Sequence, residues 1–244
     1  MTADWTSILV PLVLFVATFI RSAFGFGEAL IAVPLLALLM PIDVAAPVAV
    51  LASIVVAGFV VAQDWRHVHF RSASRLVLAT LFGTPLGLLL LTAVDERIVK
   101  SILAVGIVAF ASFCLLSRRQ AALADDRTAW LFGFCAGVLG GAYGMNGPPL
   151  VIYGSLRGWS PQHFRATLQG YFLPASLLVF GGYWLTGLWI PTVTRHFLIA
   201  LPAIVAAILL GRLVNQRMRG PSFLRYLHIG LIAVGFVLLA QSVA

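Results

Sequence analysis

Charge is the scarcest property of this 244-residue chain. Only 10% of its residues are charged while 61% are hydrophobic, and the mean hydropathy is +1.03. Too few polar side chains remain to cover a water-soluble surface, so lipid is the solvent for most of the molecule. Acids are scarcest, at 8 against 16 cations for a formal charge of +8, and lysine occurs only at Lys100. The cations fall in short links between apolar runs. Orienting the chain in a membrane explains them better than contact with nucleic acid, and no nucleic-acid partner is expected. Cysteine is nearly missing: Cys114 and Cys135 each lie inside an apolar run and read as core filler. His67, His69, His163, His196 and His228 sit near segment ends and form no metal-ligand spacing. No nucleophile with a neighbouring base and no cofactor motif stands out, so neither an enzyme, a metal nor a cofactor is expected. The first apolar run has no cationic leader before it and no Ala-x-Ala site after it, and is read as part of the mature chain.

What the chain does have is long, continuously apolar runs. Backbone polar groups in lipid find partners only within helices or closed barrels, and runs without alternation favour helices. Ten segments are predicted: 7–20, 28–40, 44–62, 74–93, 98–116, 128–142, 148–157, 164–186, 196–214 and 222–242. No polar stretch is long enough for a soluble domain, so residues 1–244 are read as one transmembrane domain. The longest hydrophilic link, 117–127, falls near the centre and is placed in the cytoplasm. Trp65, Trp130, Trp159, Trp184 and Trp189 lie near predicted interfaces, as belt residues do.

The halves on either side of that link, 7–116 and 128–242, resemble each other. Phe24-Gly25-Phe26-Gly27-Glu28 aligns with Tyr143-Gly144-Met145-Asn146-Gly147, Pro41 and Ala46 with Pro161 and Ala166, and Gly87 and Gly106 with Gly211 and Gly230. In each half a short segment, a glycine-rich break and a second short segment precede three longer ones. Equivalent links carry opposite charge bias: 63–75 has Arg66, Arg71 and Arg75 against Asp64, whereas its partner 187–194 is read as uncharged. Link 94–100 is balanced, whereas 212–225 carries four arginines. Positive-inside placement then puts equivalent links on opposite faces. An odd number of segments per half produces the same inversion. The expected fold is therefore all-α, of about 8–10 membrane segments in two inverted repeats, with both termini outside.

The breaks are where chemistry is expected. Segments 7–20, 28–40, 128–142 and 148–157 are short for a crossing. Glycine permits irregular backbone, and Pro148 and Pro149 suit the first turn of a new helix. Such backbone at membrane depth is tolerated where it lines a cavity, and helix starts aimed at that cavity favour an anion. Gly83, Gly87, Gly137 and Gly141 are read instead as close-packing glycines. Candidate substrate contacts are Gly25, Phe26, Gly27, Tyr143, Gly144, Met145, Asn146 and Gly147, with Thr167 and Gln169 donating hydrogen bonds. Ser53 is assigned to interhelical bonding, Asp43 to capping 44–62, and Arg157 and Arg165 to the cytoplasmic face. Glu28 keeps two readings. It is a proton carrier, since burial favours a neutral carboxyl that can load and unload, or a fixed helix-start charge paired with Arg21.

These residues also carry a family resemblance. Gly25-Phe26-Gly27 followed by Leu30-Ile31-Ala32-Val33-Pro34-Leu35-Leu36 resembles the first-half signature of the sulfite exporter TauE/SafE family. Gly137 through Gly147-Pro148-Pro149, then Gly158-Trp159-Ser160-Pro161 and Arg165-Ala166-Thr167, resembles the second. Gly211-Arg212-Leu213 with Arg217 is similar to the late segment. The resemblance spans essentially the whole chain. It implies a two-halved permease of the bacterial cytoplasmic (inner) membrane, with sulfite, sulfonates, sulfoacetate, thiosulfate or other small anions as substrates, export as the usual direction and proton coupling often supposed. A passive anion channel and an importer of the same fold are the alternatives. Oligomeric state, a homodimer included, is left open.

Overall fold

The computed structural model describes residues 5–64, 70–116, 127–157, 159 and 161–217. Among these residues the chain is helical, with no strand. The first half contains α1 (Trp5–Phe24), α2 (Glu28–Ala37), α3 (Ile42–Asp64), α4 (Phe70–Ala93) and α5 (Glu96–Leu116). The second contains α6 (Ala129–Tyr143), α7 (Gly147–Leu156), α8 (Pro161–Leu185) and α9 (Pro191–Arg217). The predicted segment 222–242 and nearly all of link 117–127 lie outside the described residues.

Four spans, Trp5–Ala23, Ile42–Ala62, Ser72–Ala93 and Pro191–Val214, are long and apolar enough to cross a membrane. Leu81, Phe82, Leu86 and Leu89 of α4, with Leu198, Leu209 and Leu213 of α9, expose large apolar side chains outward. Such faces fit lipid and would be costly in water. By contrast α2 and α7 have only 10 residues each and α6 has 15. At 1.5 Å per residue the 10-residue helices cover about 15 Å, half a hydrocarbon core.

Several expectations are corrected. The first helix is not short: it runs for 20 residues because Arg21 to Phe24 continue it, and the interruption shrinks to residues 25–27. Arg21 can stay helical at that depth because its guanidinium finds buried partners. In the second half Gly140 to Tyr143 likewise belong to α6, leaving residues 144–146 irregular, and Gly147 opens α7. Asp43 is not the cap of α3 but lies in its first turn. The helix starts on the Pro41 carbonyl, which accepts from Val44 and Ala45 N–H (3.1 and 3.0 Å). Glu96 accepts from the Ile42 N–H (3.2 Å). Cys135 is exposed on the outer side of α6, not core filler; the Cys114 side chain is outside the described set.

Close backbone approach at glycines fixes the packing. α4 lies along α6, where a Cβ on Gly83 would stand 2.2 Å from the Phe134 carbonyl oxygen and one on Gly87 2.1 Å from that of Val138. Gly137 and Gly141 make the reciprocal contacts on Thr80 and Thr84. α9 lies along α1 in the same way, with Gly211 against Phe19, Ser22 and Ala23. Gly87 faces Val138, Gly141 and Ala142. Those positions align with Phe19, Ser22 and Ala23 at the offset that pairs Phe24 with Tyr143. α3 and α8 pack on each other between the two pairs.

Candidate functional site

Both interruptions turn on glycine in a left-handed backbone. Gly25 and Gly27 have φ of 90° and 100°, and Gly144 has 66°, values that a Cβ makes costly. Gly25 N–H closes α1 on the Arg21 carbonyl (2.6 Å). Gly144 and Met145 close α6 on the carbonyls of Gly140 (2.8 Å) and Leu139 (3.2 Å), a Schellman-type end. α2 then restarts with no side-chain cap. Its first intrahelical bond is Ile31 N–H to the Gly27 carbonyl (3.2 Å), so the amides of Glu28, Ala29 and Leu30 are the orphan donors of a helix start. α7 offers fewer, because Pro148 and Pro149 have no N–H.

Between the interruptions is a cavity of about 350 Å³, mouth included. α2 contributes Glu28 to Leu30, the second interruption Gly144 and Asn146, and α7 Gly147 and Pro148; Arg21, Ser53, Phe172 and Ser176 come from α1, α3 and α8. Arg21 is 3% exposed and Glu28 1%. One guanidinium nitrogen of Arg21 donates to Glu28 (2.5 Å) and to Ser53 Oγ (2.7 Å), and the other to Gln169 Oε1 (2.9 Å). Its Cζ lies 4.8 Å from the centre of the Phe172 ring, a cation–π contact. Thr18 donates to the second carboxylate oxygen of Glu28 (2.8 Å). Ser53 and Ser176 Oγ are 3.2 Å apart across the α3–α8 contact.

Two donors on residues that line this cavity are buried without a well-aligned hydrogen-bond partner: Arg21 Nε, and Asn146 Nδ2, whose one polar neighbour, the Tyr171 hydroxyl, is already engaged with Thr80 (2.6 Å). A buried donor left unsatisfied costs about 1–3 kcal/mol. Two of them, with an uncapped helix start beside them, make a site that lacks acceptors. A negatively charged or oxygen-rich guest supplies what is missing, whereas a cation would not.

The sequence-predicted residues divide. Gly27, Gly144, Asn146 and Gly147 line the cavity. Gly25 lies outside its walls and gives its carbonyl to Gln169 Nε2 (2.7 Å). Gln169 is thereby committed at both ends, to Arg21 and to Gly25, and positions them. Thr167 is buried and away from the lining. Phe26 packs edge-on to Phe164 at 6.1 Å. Tyr143 donates its hydroxyl to the Val99 carbonyl (3.0 Å) and, with Met145, borders a different cavity. Ser53 does bond between helices as expected and also lines the site. The Arg165 side chain is outside the described set.

Sequence reasoning missed Arg21 as the centre of the site, along with Phe172 and Ser176. A signal for Arg21 was present, since an ionisable residue flanked by apolar runs is a functional candidate by default. Nothing in the sequence singled out Phe172 or Ser176.

A bundle of apolar helices, interrupted around a buried polar cavity, has the build of a membrane transport protein. The profile of the sulfite exporter TauE/SafE family matches residues 10–238, nearly the whole chain, and the chain belongs to that family. No curated protein and no solved structure matches it.

Proposed function

We propose that the chain is a secondary transporter that exports small oxyanions, sulfite or organosulfonates, across the bacterial cytoplasmic membrane. The observation that carries this reading is a pair of buried donors without a well-aligned acceptor, Arg21 Nε and Asn146 Nδ2, on two residues that line one cavity beside the uncapped start of α2. Family membership supports transport of such a solute.

In this reading the two halves are inverted repeats that rock about the α3–α8 contact and expose the cavity to each side in turn. Three observations support the repeat. α4–α6 and α1–α9 are corresponding pairs, Gly87 and Gly211 occupy corresponding crossings, and Ser53 meets Ser176 from corresponding helices. The substrate takes Arg21 from Glu28, and Glu28 takes a proton.

Flux of sulfite, thiosulfate, methanesulfonate and acetate into proteoliposomes tests the proposal. Saturable flux of at least one sulfur oxyanion, lost in Arg21→Ala, is expected. Flux that never saturates would make the protein a passive channel, and no flux of any anion would overturn the reading.

A further inference from the structure

The cavity around Arg21 is lined by one cation and one acid, Arg21 and Glu28, and by no other charged side chain. α3 and α8 bring Ser53, Gln169 and Ser176 to the pair, and the second interruption brings Asn146; all four are neutral. Tyr171, beside Asn146, is a phenol hydrogen-bonded with Thr80 (2.6 Å) and is uncharged around neutral pH. The charged groups on the neighbouring helices are occupied elsewhere. Asp43 of α3 and Arg195 and Arg212 of α9 are exposed, and Glu96 of α5 pairs with Lys100 (3.0 Å).

The second half adds no charge of its own at the corresponding positions. At the offset that pairs Phe24 with Tyr143, Arg21 aligns with Gly140 and Glu28 with Gly147. The space beside Gly140 is taken by Asn146: a Cβ on Gly140 would stand 2.6 Å from Asn146 Oδ1. A neutral carboxamide therefore sits where the first half has a guanidinium. The site is asymmetric, with its full charges supplied by one half.

We infer that the site selects its guest by charge and admits monoanions, with sulfite taken as hydrogensulfite and with sulfate, thiosulfate and other dianions refused. A monoanion on Arg21, with a proton on Glu28, leaves the cavity neutral. A dianion in the same place leaves a full negative charge in surroundings that solvate it poorly. Arg21 Nε, Asn146 Nδ2 and the first amides of α2 supply further hydrogen bonds, but they bring no second cation. The inference rests on the anion-site reading above and adds the charge state that the site accepts.

The test is calorimetric titration of the whole chain in phosphatidylcholine nanodiscs at constant ionic strength, without air. Methanesulfonate and sulfate share a tetrahedral outline and differ by one charge, as pyramidal chlorate and fully ionised sulfite do. In wild type each monoanion should bind about a hundredfold or more tightly than its dianionic counterpart. Sulfite gains its proton in the neutral range. Its affinity relative to methanesulfonate should therefore fall about tenfold for each pH unit on the alkaline side. Uptake of a proton by Glu28 is common to both ligands and cancels in that ratio. Glu28→Gln should show the same fall, because the proton in question rides on the ligand. Sulfate or thiosulfate binding as tightly as methanesulfonate overturns the inference and leaves the anion site standing. A sulfite-to-methanesulfonate ratio that is flat with pH, or one whose slope disappears in Glu28→Gln, overturns it as well. If wild type binds none of these anions, the anion-site reading falls and takes this inference with it.

Discussion

Arg21 and Glu28 lie 2.5 Å apart and are the only charged side chains buried among the described residues. The pair is therefore neutral as a unit inside a medium that solvates net charge poorly. Thr18, Ser53 and Gln169 give it further hydrogen bonds but leave Arg21 Nε without a partner, and none of the three is ionisable.

Neutrality makes a prediction about coupling. A monoanion that binds Arg21 leaves a net negative charge unless Glu28 is protonated at the same time. Wild-type protein should therefore move one proton with each anion, in the same direction, with no net charge crossing. Parallel records of anion flux and internal pH in liposomes measure this. Glu28→Gln should carry anion with no accompanying proton, and its flux should respond to an imposed membrane potential. A Glu28→Gln protein that still moves protons one-for-one would remove Glu28 from the coupling.

Removing one partner of the pair should be worse than removing both. Arg21→Ala leaves the carboxylate buried without its cation, a loss of about 3–5 kcal/mol in comparable buried pairs. Arg21→Gln combined with Glu28→Gln leaves two neutral amides and should recover most of the melting temperature. Neither variant should transport. Thermal unfolding in detergent, run beside the flux assay, separates the effects. Equal melting temperatures for Arg21→Ala and wild type would mean that the ion pair is not held in the folded protein.

How much of this could be read from the sequence depends on what left a local mark. Glycine and proline mark interrupted backbone, so the breaks at Gly25, Gly27 and Gly144 were legible, as was the close packing of Gly83 and Gly137. The extent of the breaks was not. Arg21 was assigned to loop because a charge in lipid is costly when alone, and its partners on α3 and α8 are far away in sequence. Ser53, Phe172 and Ser176 converge through the rotation of helices that are apolar on both faces. In a soluble helix the polar side reveals that rotation; in lipid the outward and inward faces are alike, and the signal is lost.

The helix crossings offer a contrast between glycines. A Cβ on Gly83 would overlap the α6 backbone at 2.2 Å, and backbone cannot step aside without parting α4 from α6. Gly58 and Gly106 have nothing within 4 Å. Gly83→Ala should cost about 1–3 kcal/mol, the range for overpacking. Gly58→Ala and Gly106→Ala should be neutral or slightly stabilising, since alanine is the better helix former. Thermal midpoints of the three variants decide it, and equal midpoints would mean that the α4–α6 crossing is looser than described.

Asn146 provides the sharpest test of what the cavity recognises. Its Nδ2 is buried with no well-aligned acceptor, the nearby Tyr171 hydroxyl being engaged with Thr80, so a bound anion completes it. Asn146→Ala removes one charge-assisted hydrogen bond and should weaken anion binding about ten- to a hundredfold. Asn146→Asp is nearly isosteric but replaces the donor with an acceptor and adds a second carboxylate to a cavity containing Arg21. The new carboxylate competes with the substrate for that guanidinium, so binding should be lost more completely than in the alanine variant despite the smaller change in shape. A site that selected by shape alone would rank the two the other way, with aspartate close to wild type. Titration of both variants with the same anion, together with their melting temperatures to confirm folding, distinguishes recognition by donors from recognition by fit.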